Sequence, residues 1–251
     1  MTKEINSGNV RLYIENSYED MSARAADIIC KELKSNPDGV YGFATGSTPI
    51  GLYGELIKKY RNNEIDFSNI ISFNLDEYYP IKKNNDQSYY YFMKENLFNH
   101  INVQDKNINI PNGEAADPDK ECICYEEKIK NAGGIDLQIL GIGGNGHIGF
   151  NEPSNCFSRA TNYVALTEST ISANSRFFAS MDDVPKHALT MGIKTIMLAG
   201  KILLVVNSEK KSEILKKSLF GDITPEVPAS VLQLHPDVVV VIDKEAAKYL
   251  D

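Results

Sequence analysis

The amino-acid sequence predicts an α/β fold, a mostly parallel sheet with helices on both faces, as one domain over residues 1–251. Three observations predict it. Apolar runs such as Val40 to Ala44, Leu137 to Ile142, Ile202 to Val206 and Val238 to Ile242 are nearly continuous rather than alternating, as in strands buried on both faces. Between such runs lie longer segments of helical character. Small or polar loops follow the runs, at Thr45 to Pro49, Leu75 to Pro80 and Gly141 to Glu152. Open parallel sheets bind ligands at the C-terminal ends of their strands, so function is expected in these loops. No linker, internal repeat or low-complexity segment divides the chain.

In chain order, Val10 to Ile14 reads as a strand, and Ser17 caps a helix to about Ser35, with Asp20 completing a capping-box pattern. Asn36-Pro37-Asp38-Gly39 is a turn. Val40 to Ala44 runs into Thr45-Gly46-Ser47-Thr48-Pro49, and a helix follows from Ile50 to about Arg61. Strand, small-residue loop and proline-opened helix make an anion-binding unit, with backbone N–H groups, the helix dipole and two hydroxyls facing a phosphate. An ordinary helix cap is the alternative. Ile70 to Asn74 delivers the acidic pair Asp76-Glu77, either a functional pair or a cap for the helix from Ser88 to Phe98. Pro118 opens a helix to Ala132 that Gly133-Gly134 ends.

Leu137 to Ile142 presents the loop LGIGGNGHIGFNE, and Tyr163 to Leu166 is a short strand. The polar helical segment Thr167 to Met181, carrying Arg176, suggests a lid around residues 166–186; a surface helix would read the same. The strand Ile202 to Val206 leads to Asn207 and a basic pair, of which Lys210 is expected at the loop edge. Ala229 to Leu234 is a short helix with His235 as a cap contact, Val238 to Ile242 a last strand, and Lys244 to Leu250 a last helix.

Composition narrows the function. The formal net charge is −8, which argues against a nucleic-acid or anionic-membrane binder, since both need a basic face. A small anionic substrate needs positive charge supplied locally. Residues after Met1 are polar and no apolar run reaches the roughly eighteen residues of a membrane span, so neither a leader nor a membrane segment is expected. The four cysteines have no zinc spacing, consistent with reduced thiols in a cytoplasm.

The loop Leu140 to Glu152 carries the chemistry. Four glycines (Gly141, Gly143, Gly144, Gly146) bring bare backbone beside Asn145, His147 and Glu152. Glycines so clustered serve a tight turn or a close approach to a ligand. A histidine between an amide and a carboxylate is set up for proton transfer near neutral pH. The literal G-x-G-x-x-G is not a dinucleotide motif, because His147 to Pro153, with another glycine and a proline, is poor helix material.

This loop, with Thr45 to Pro49 and Phe73-Asn74-Leu75-Asp76-Glu77-Tyr78, resembles the glucosamine/galactosamine-6-phosphate isomerase family, and within it the isomerising glucosamine-6-phosphate deaminases. The likeness runs nearly end to end, through Glu168 to Phe178, Ala188 to Gly192 and Leu232 to Pro236. GHIGFNEP is specific: the related 6-phosphogluconolactonases share the sheet and the phosphate loop but lack the FNEP ending. The resemblance implies a modified doubly wound, Rossmann-like sheet. It implies conversion of D-glucosamine 6-phosphate and water to D-fructose 6-phosphate and ammonia, with no metal and no cofactor. Asp76 is then the base at carbon, His147 the ring-opening acid–base, and Glu152 its partner. Thr45, Gly46, Ser47, Thr48, Gly143, Arg176 and Lys210 hold the substrate and its phosphate.

Asn145 stands where many members carry Asp, so it can orient but cannot take a proton. Asn162 and Val164 stand where allosteric members carry basic residues, so dependence on an N-acetylglucosamine 6-phosphate effector is not expected. Family members differ in oligomeric state, which leaves a homo-oligomer open. A 6-phosphogluconolactonase-like hydrolase and a sugar-phosphate sensor domain are the alternatives. The sensor lacks the basic DNA-binding module it would need.

Overall fold

The computed structural model describes residues 3–7, 9–178 and 180–250. Eleven strands run in the order β1 (Lys3–Ser7), β2 (Val10–Glu15), β3 (Val40–Phe43), β4 (Ile71–Asn74), β5 (Asp76–Tyr79), β6 (Ile108–Asn109), β7 (Leu137–Leu140), β8 (Asn162–Ala165), β9 (His187–Thr190), β10 (Lys201–Val206) and β11 (Val238–Asp243). The α-helices are α1 (Tyr18–Ser35), α2 (Ile50–Arg61), α3 (Tyr89–Asn96), α4 (Pro118–Asn131), α5 (Glu168–Asn174), α6 (Ile193–Met197) and α7 (Ser212–Phe220). Ser17 caps α1 as expected, accepting from Asp20 N.

Eight strands form the main sheet in the order β1-β2-β11-β10-β7-β3-β4-β6. All neighbours are parallel except β1, which pairs antiparallel with β2. The core strands are buried along their whole length: Leu203, Leu204, Val238, Val240 and Val241 are inaccessible to solvent, which is why their runs are continuous. Strands β10, β7, β3 and β4 are consecutive in the sheet, so the loops at their C-terminal ends meet. The chain winds outward from β3 to β4 and β6 on one side and from β7 to β10 and β11 on the other. The meeting point is therefore where the strand order reverses.

Buried tyrosines pin these strand ends. Tyr125 donates to Asn74 O at 2.7 Å and Asn109 O at 3.1 Å, tying β4 to β6, and Tyr53 donates to Ala44 O where the β3 loop begins. A second sheet, β5-β9-β8, is antiparallel. Its strand β5 follows β4 after a single residue, Leu75, whose N–H reaches Phe43 O at 3.1 Å and whose carbonyl accepts from Met191 N at 2.8 Å.

The structure differs from the sequence expectations at four places. Asp76 to Tyr79 is a strand rather than a loop. Lys3 to Ser7 adds an edge strand whose short polar sequence carries no burial pattern. Lys244 to Leu250 forms turns rather than a helix: Asp243 takes Ala246 N at 2.8 Å, Tyr249 N donates to Ser212 Oγ at 2.8 Å, and the backbone–backbone bonds are of the short i to i+3 kind. The helical segment from Thr167 also breaks into α5 and a 3-10 turn, Ser175–Phe177.

Tyr125→Phe leaves the buried Asn74 carbonyl without its donor at the root of the site. It is expected to lower unfolding stability by about 1–3 kcal/mol. Urea denaturation with an unchanged slope reads this directly; an unchanged midpoint would show that the bond does not hold the β4 end.

Candidate active site

A cavity of about 450 Å³ opens where the β3, β4, β7 and β10 loops meet. The β3 loop lines it with Thr45, Gly46, Ser47 and Thr48, the β4 end with Leu75 and Asp76, the β7 loop with Gly143, Asn145 and His147, and the α5 segment with Thr170, Asn174 and Arg176. Glu152 stands behind His147 rather than on the wall.

The acidic pair divides. Neighbours on a strand point to opposite faces, so β5 turns Asp76 to the cavity and Glu77 away from it. Glu77 is the cap: its carboxylate accepts from Tyr78 N at 2.9 Å, Tyr89 N at 2.8 Å and Tyr90 N at 2.9 Å, at the start of α3. Burial pushes its carboxyl up to about 7 against those three donors. Asp76 accepts no hydrogen bond among the described residues. Burial first, and the charge of Glu77 second, push its carboxyl up to about 8.

The glycine loop fixes the imidazole. Gly143 N donates to His147 O at 2.9 Å. A Cβ at Gly143 would lie 2.2 Å from His147 Nε2, so the ring packs on bare backbone. Gly149 has φ +56°, and a Cβ there would meet Thr190 Oγ1 at 2.8 Å and Asp76 Oδ2 at 3.5 Å, so Asp76 lies against the loop that carries His147. On its other side, His147 Nδ1 is 3.5 Å from Glu152 Oε2, at the outer limit of a hydrogen bond.

Asn145 acts on Glu152 rather than on the imidazole. Its Nδ2 donates to Glu152 Oε2 at 2.6 Å, and its Oδ1 accepts from the backbone N–H of His147 at 3.2 Å. Thr170 donates to Glu152 Oε1. Burial alone would raise the Glu152 carboxyl, but the hydrogen bond and charge of His147, with Thr170 and Asn145, outweigh it and hold it down at about 2.

The phosphate expectations need one correction. Lys210 is exposed and absent from the cavity wall; Lys211 lines it. Ser208 takes a left-handed φ of +81°, its N–H held by Asp243 at 3.2 Å, and the single 3-10 turn Glu209–Lys211 then swings Lys211 inward. Burial pushes the Lys211 ammonium down, and the charge of Arg176 adds to it, so two cations share this corner. Thr48 Oγ1 donates to Asn207 Oδ1 at 2.6 Å, tying the β3 loop to the β10 loop. Tyr18 Oη accepts from Gly51 N at 2.7 Å, occupying an N–H at the start of α2. Ser47 is exposed on the wall and leaves its hydroxyl available.

Thr170 and Lys211 escaped the sequence reading. Lys211 had a signal, the basic pair after β10, but only the backbone turn chooses between its members. Thr170 had none beyond its place in the lid segment. His235 is structural, bonded through its two nitrogens to Ala199 O and to Asp237 N. Among the described residues, no group of three or more His, Cys, Asp or Glu could hold a metal ion. A second cavity of about 300 Å³, behind Glu152, includes Asn162 and Val164 and no Lys or Arg.

A family model described as glucosamine-6-phosphate isomerases/6-phosphogluconolactonase matches residues 15–241. The chain is 53% identical to a glucosamine-6-phosphate deaminase of Clostridioides difficile (strain 630), covering 96% of this chain and 97% of that one. It is 57% identical to one of Alkaliphilus oremlandii (strain OhILAs), covering 95% and 99%. A solved structure of a monomeric glucosamine-6-phosphate deaminase superposes with a TM-score of 0.92 at 45% identity, covering 94% of this chain and 98% of that one. A 6-phosphogluconolactonase from Thermotoga maritima superposes at 0.75 with 20% identity, covering 95% and 100%, a likeness of fold alone.

The raised Asp76 carboxyl predicts a pH-dependent penalty. Its ordinary value is 3.8 and its folded value about 8, so between these the folded protein holds a proton that the unfolded chain has lost. Stability from this group is full below about pH 4 and is lost as pH rises through about 8. Asp76→Asn is expected to raise the thermal midpoint, by a margin that widens from pH 5 to 8 and then levels. A margin that stays flat would place an ionised Asp76 in a compensated site.

Proposed function

This chain belongs to the glucosamine-6-phosphate isomerase/6-phosphogluconolactonase family, and from that premise we propose that it converts D-glucosamine 6-phosphate and water to D-fructose 6-phosphate and ammonia. The observation that carries this reading is Asp76, a carboxylate buried on the cavity wall, without a hydrogen bond among the described residues and set against the loop of His147. Removing a proton from carbon needs such a desolvated base; hydrolysing a lactone does not.

The substrate enters as a closed pyranose. Its phosphate sits in the corner of Ser47, Arg176 and Lys211, which supplies the local positive charge that an acidic protein needs for a dianion. His147 takes the proton of the anomeric hydroxyl and returns one to the ring oxygen, opening the ring to the aldehyde. Glu152, held ionised, faces Nδ1 and stabilises the imidazolium formed between these steps. Asp76 then removes the C2 proton and delivers it to C1. One proton of the substrate ammonium passes to the aldehyde oxygen, so the aldehyde carbon becomes the C1 hydroxymethyl group and C2 becomes a protonated imine. Water adds to C2, and the carbinolamine expels ammonia to leave the ketose. The α5 segment, with Asn174 and Arg176 on the wall, acts as a lid that excludes water during the carbon proton transfer. Such an enzyme of amino-sugar breakdown works in the cytoplasm.

Purified protein is expected to release ammonia and fructose 6-phosphate in equal amounts from glucosamine 6-phosphate, without metal or N-acetylglucosamine 6-phosphate. Asp76→Asn should lower the rate by about 10²–10⁴-fold. In the wild type, kcat/KM should climb through about pH 8 as Asp76 ionises, once the substrate's own amine is allowed for. Product without exchange of the C2 proton or transfer to C1 would remove Asp76 from this role.

Lys211→Ala is expected to raise KM by about tenfold or more while Lys210→Ala stays within about twofold. The reverse order would return the phosphate contact to Lys210.

A further inference from the structure

The first turn of α5 is a ladder of hydroxyls. Thr167 Oγ1 caps the helix, accepting from Thr170 N at 3.3 Å, and donates to Thr170 Oγ1 at 3.2 Å. With its oxygen so engaged, Thr170 turns its own proton onto Glu152 Oε1. Thr170 is only 4% exposed, although Ser169 beside it faces solvent.

Each oxygen of Glu152 is therefore held. Oε2 takes Asn145 Nδ2 at 2.6 Å and faces His147 Nδ1 at 3.5 Å; Oε1 takes Thr170. Asn145 and His147 belong to the same loop as Glu152, whereas Thr170 is, among the described residues, the donor that comes from another element. That element also presents Ser169 and Asn174 to the cavity, and the 3-10 turn that follows it presents Arg176. The segment that meets the substrate is thus the segment that orients the carboxylate behind the imidazole. A hydroxyl bonded to a buried carboxylate is charge-assisted and directional, and its loss leaves Oε1 free to rotate Oε2 away from the imidazole.

We propose that Thr170 is a positioning residue through which docking of α5 on a bound sugar phosphate sets Glu152 against His147, so that ring opening is complete only with that helix in place. This rests on the reaction proposed above. In this role Thr170 acts through Glu152.

The test is a series at this position with glucosamine 6-phosphate as substrate. Thr170→Val keeps the shape and removes the donor, and Thr170→Ser keeps the donor. The valine variant is expected to lose about tenfold or more in kcat with KM within about threefold, and serine to recover kcat to within about threefold of wild type. In a Glu152→Gln background the valine change should alter residual kcat by less than about twofold, because the carboxylate on which it acts is gone. Thermal midpoints of the valine and serine variants are compared alongside, so that a loss of fold is not read as a loss of positioning. An unchanged kcat in the valine variant, a loss confined to KM, a serine variant no better than valine, or the same loss in the Glu152→Gln background would each overturn the proposal. A wild-type protein that releases no ammonia refutes the reaction itself, whereas an active wild type with a flat Thr170 series refutes only this role.

Discussion

Two adjacent carboxylates buried at the end of a strand set the terms for the rest of the structure. Asp76 and Glu77 are 6% and 2% exposed, and burying a carboxylate is costly unless hydrogen bonds or charges compensate it. A strand resolves the conflict by sending them to opposite faces. Glu77 is compensated by the N–H of Tyr78 and by two N–H groups at the start of α3, which anchors that helix and the aromatic cluster of Tyr78, Tyr89 and Phe150. Asp76 is left uncompensated on the cavity side. The second sheet exists in the right place for this division: β9 pairs Thr190 with Asp76 and Leu189 with Glu77, and Thr190 then holds the β7 loop through Phe150 N at 3.0 Å. One strand register therefore positions Asp76, the α3 cap and the imidazole loop together.

The β7 loop solves a different problem, which is to hold a ring without gripping it. His147 receives no side-chain hydrogen bond from Asn145; the amide instead holds the His147 backbone and the Glu152 carboxylate. Its ring is placed by contact with the backbone at Gly143 on one side and by Glu152 on the other. A ring placed in this way can gain and lose a proton without breaking a bond that holds it in position. Asn145 suits this arrangement because an amide N–H can donate to an ionised Glu152, whereas a second carboxylate could do so only when protonated.

Much of this was legible in the sequence, and the failures have physical reasons. Continuous apolar runs located β3, β7, β10 and β11 within a residue or two, because burial on both faces leaves no room for polar positions. Ser17, Pro118 and Gly133-Gly134 marked helix ends by local chemistry alone. The Lys3–Ser7 edge strand and the Asp76–Tyr79 strand were not legible: neither is an apolar run, and β5 is made a strand by its partner β9, more than a hundred residues away in sequence. For that reason the acidic pair could be recognised but not divided. The choice between Lys210 and Lys211 was closed to sequence for a similar reason. It depends on a left-handed serine, Ser208, where glycine or asparagine is the usual signal. Thr170 is invisible because a threonine three residues after a capping threonine is ordinary helix composition.

The remaining feature is the electrostatic character of the two ends of the cavity. At one end Asp76 is buried with no hydrogen-bond donor among the described residues; at the other, burial and the charge of Arg176 push the Lys211 ammonium down. Both conditions weaken the folded protein, and under the proposed reaction a phosphorylated amino sugar would relieve both, its phosphate facing the cation pair and its C2 ammonium facing the Asp76 carboxylate. Anything that binds the folded state alone stabilises it in proportion to its affinity. Affinity and strain are thus one quantity seen from two sides. With a net charge of −8, the protein meets the proposed dianion through Lys211 and Arg176, which the β10 and α5 segments bring to one corner of the cavity, and the ammonium of the proposed substrate supplies a counter-charge for the buried Asp76.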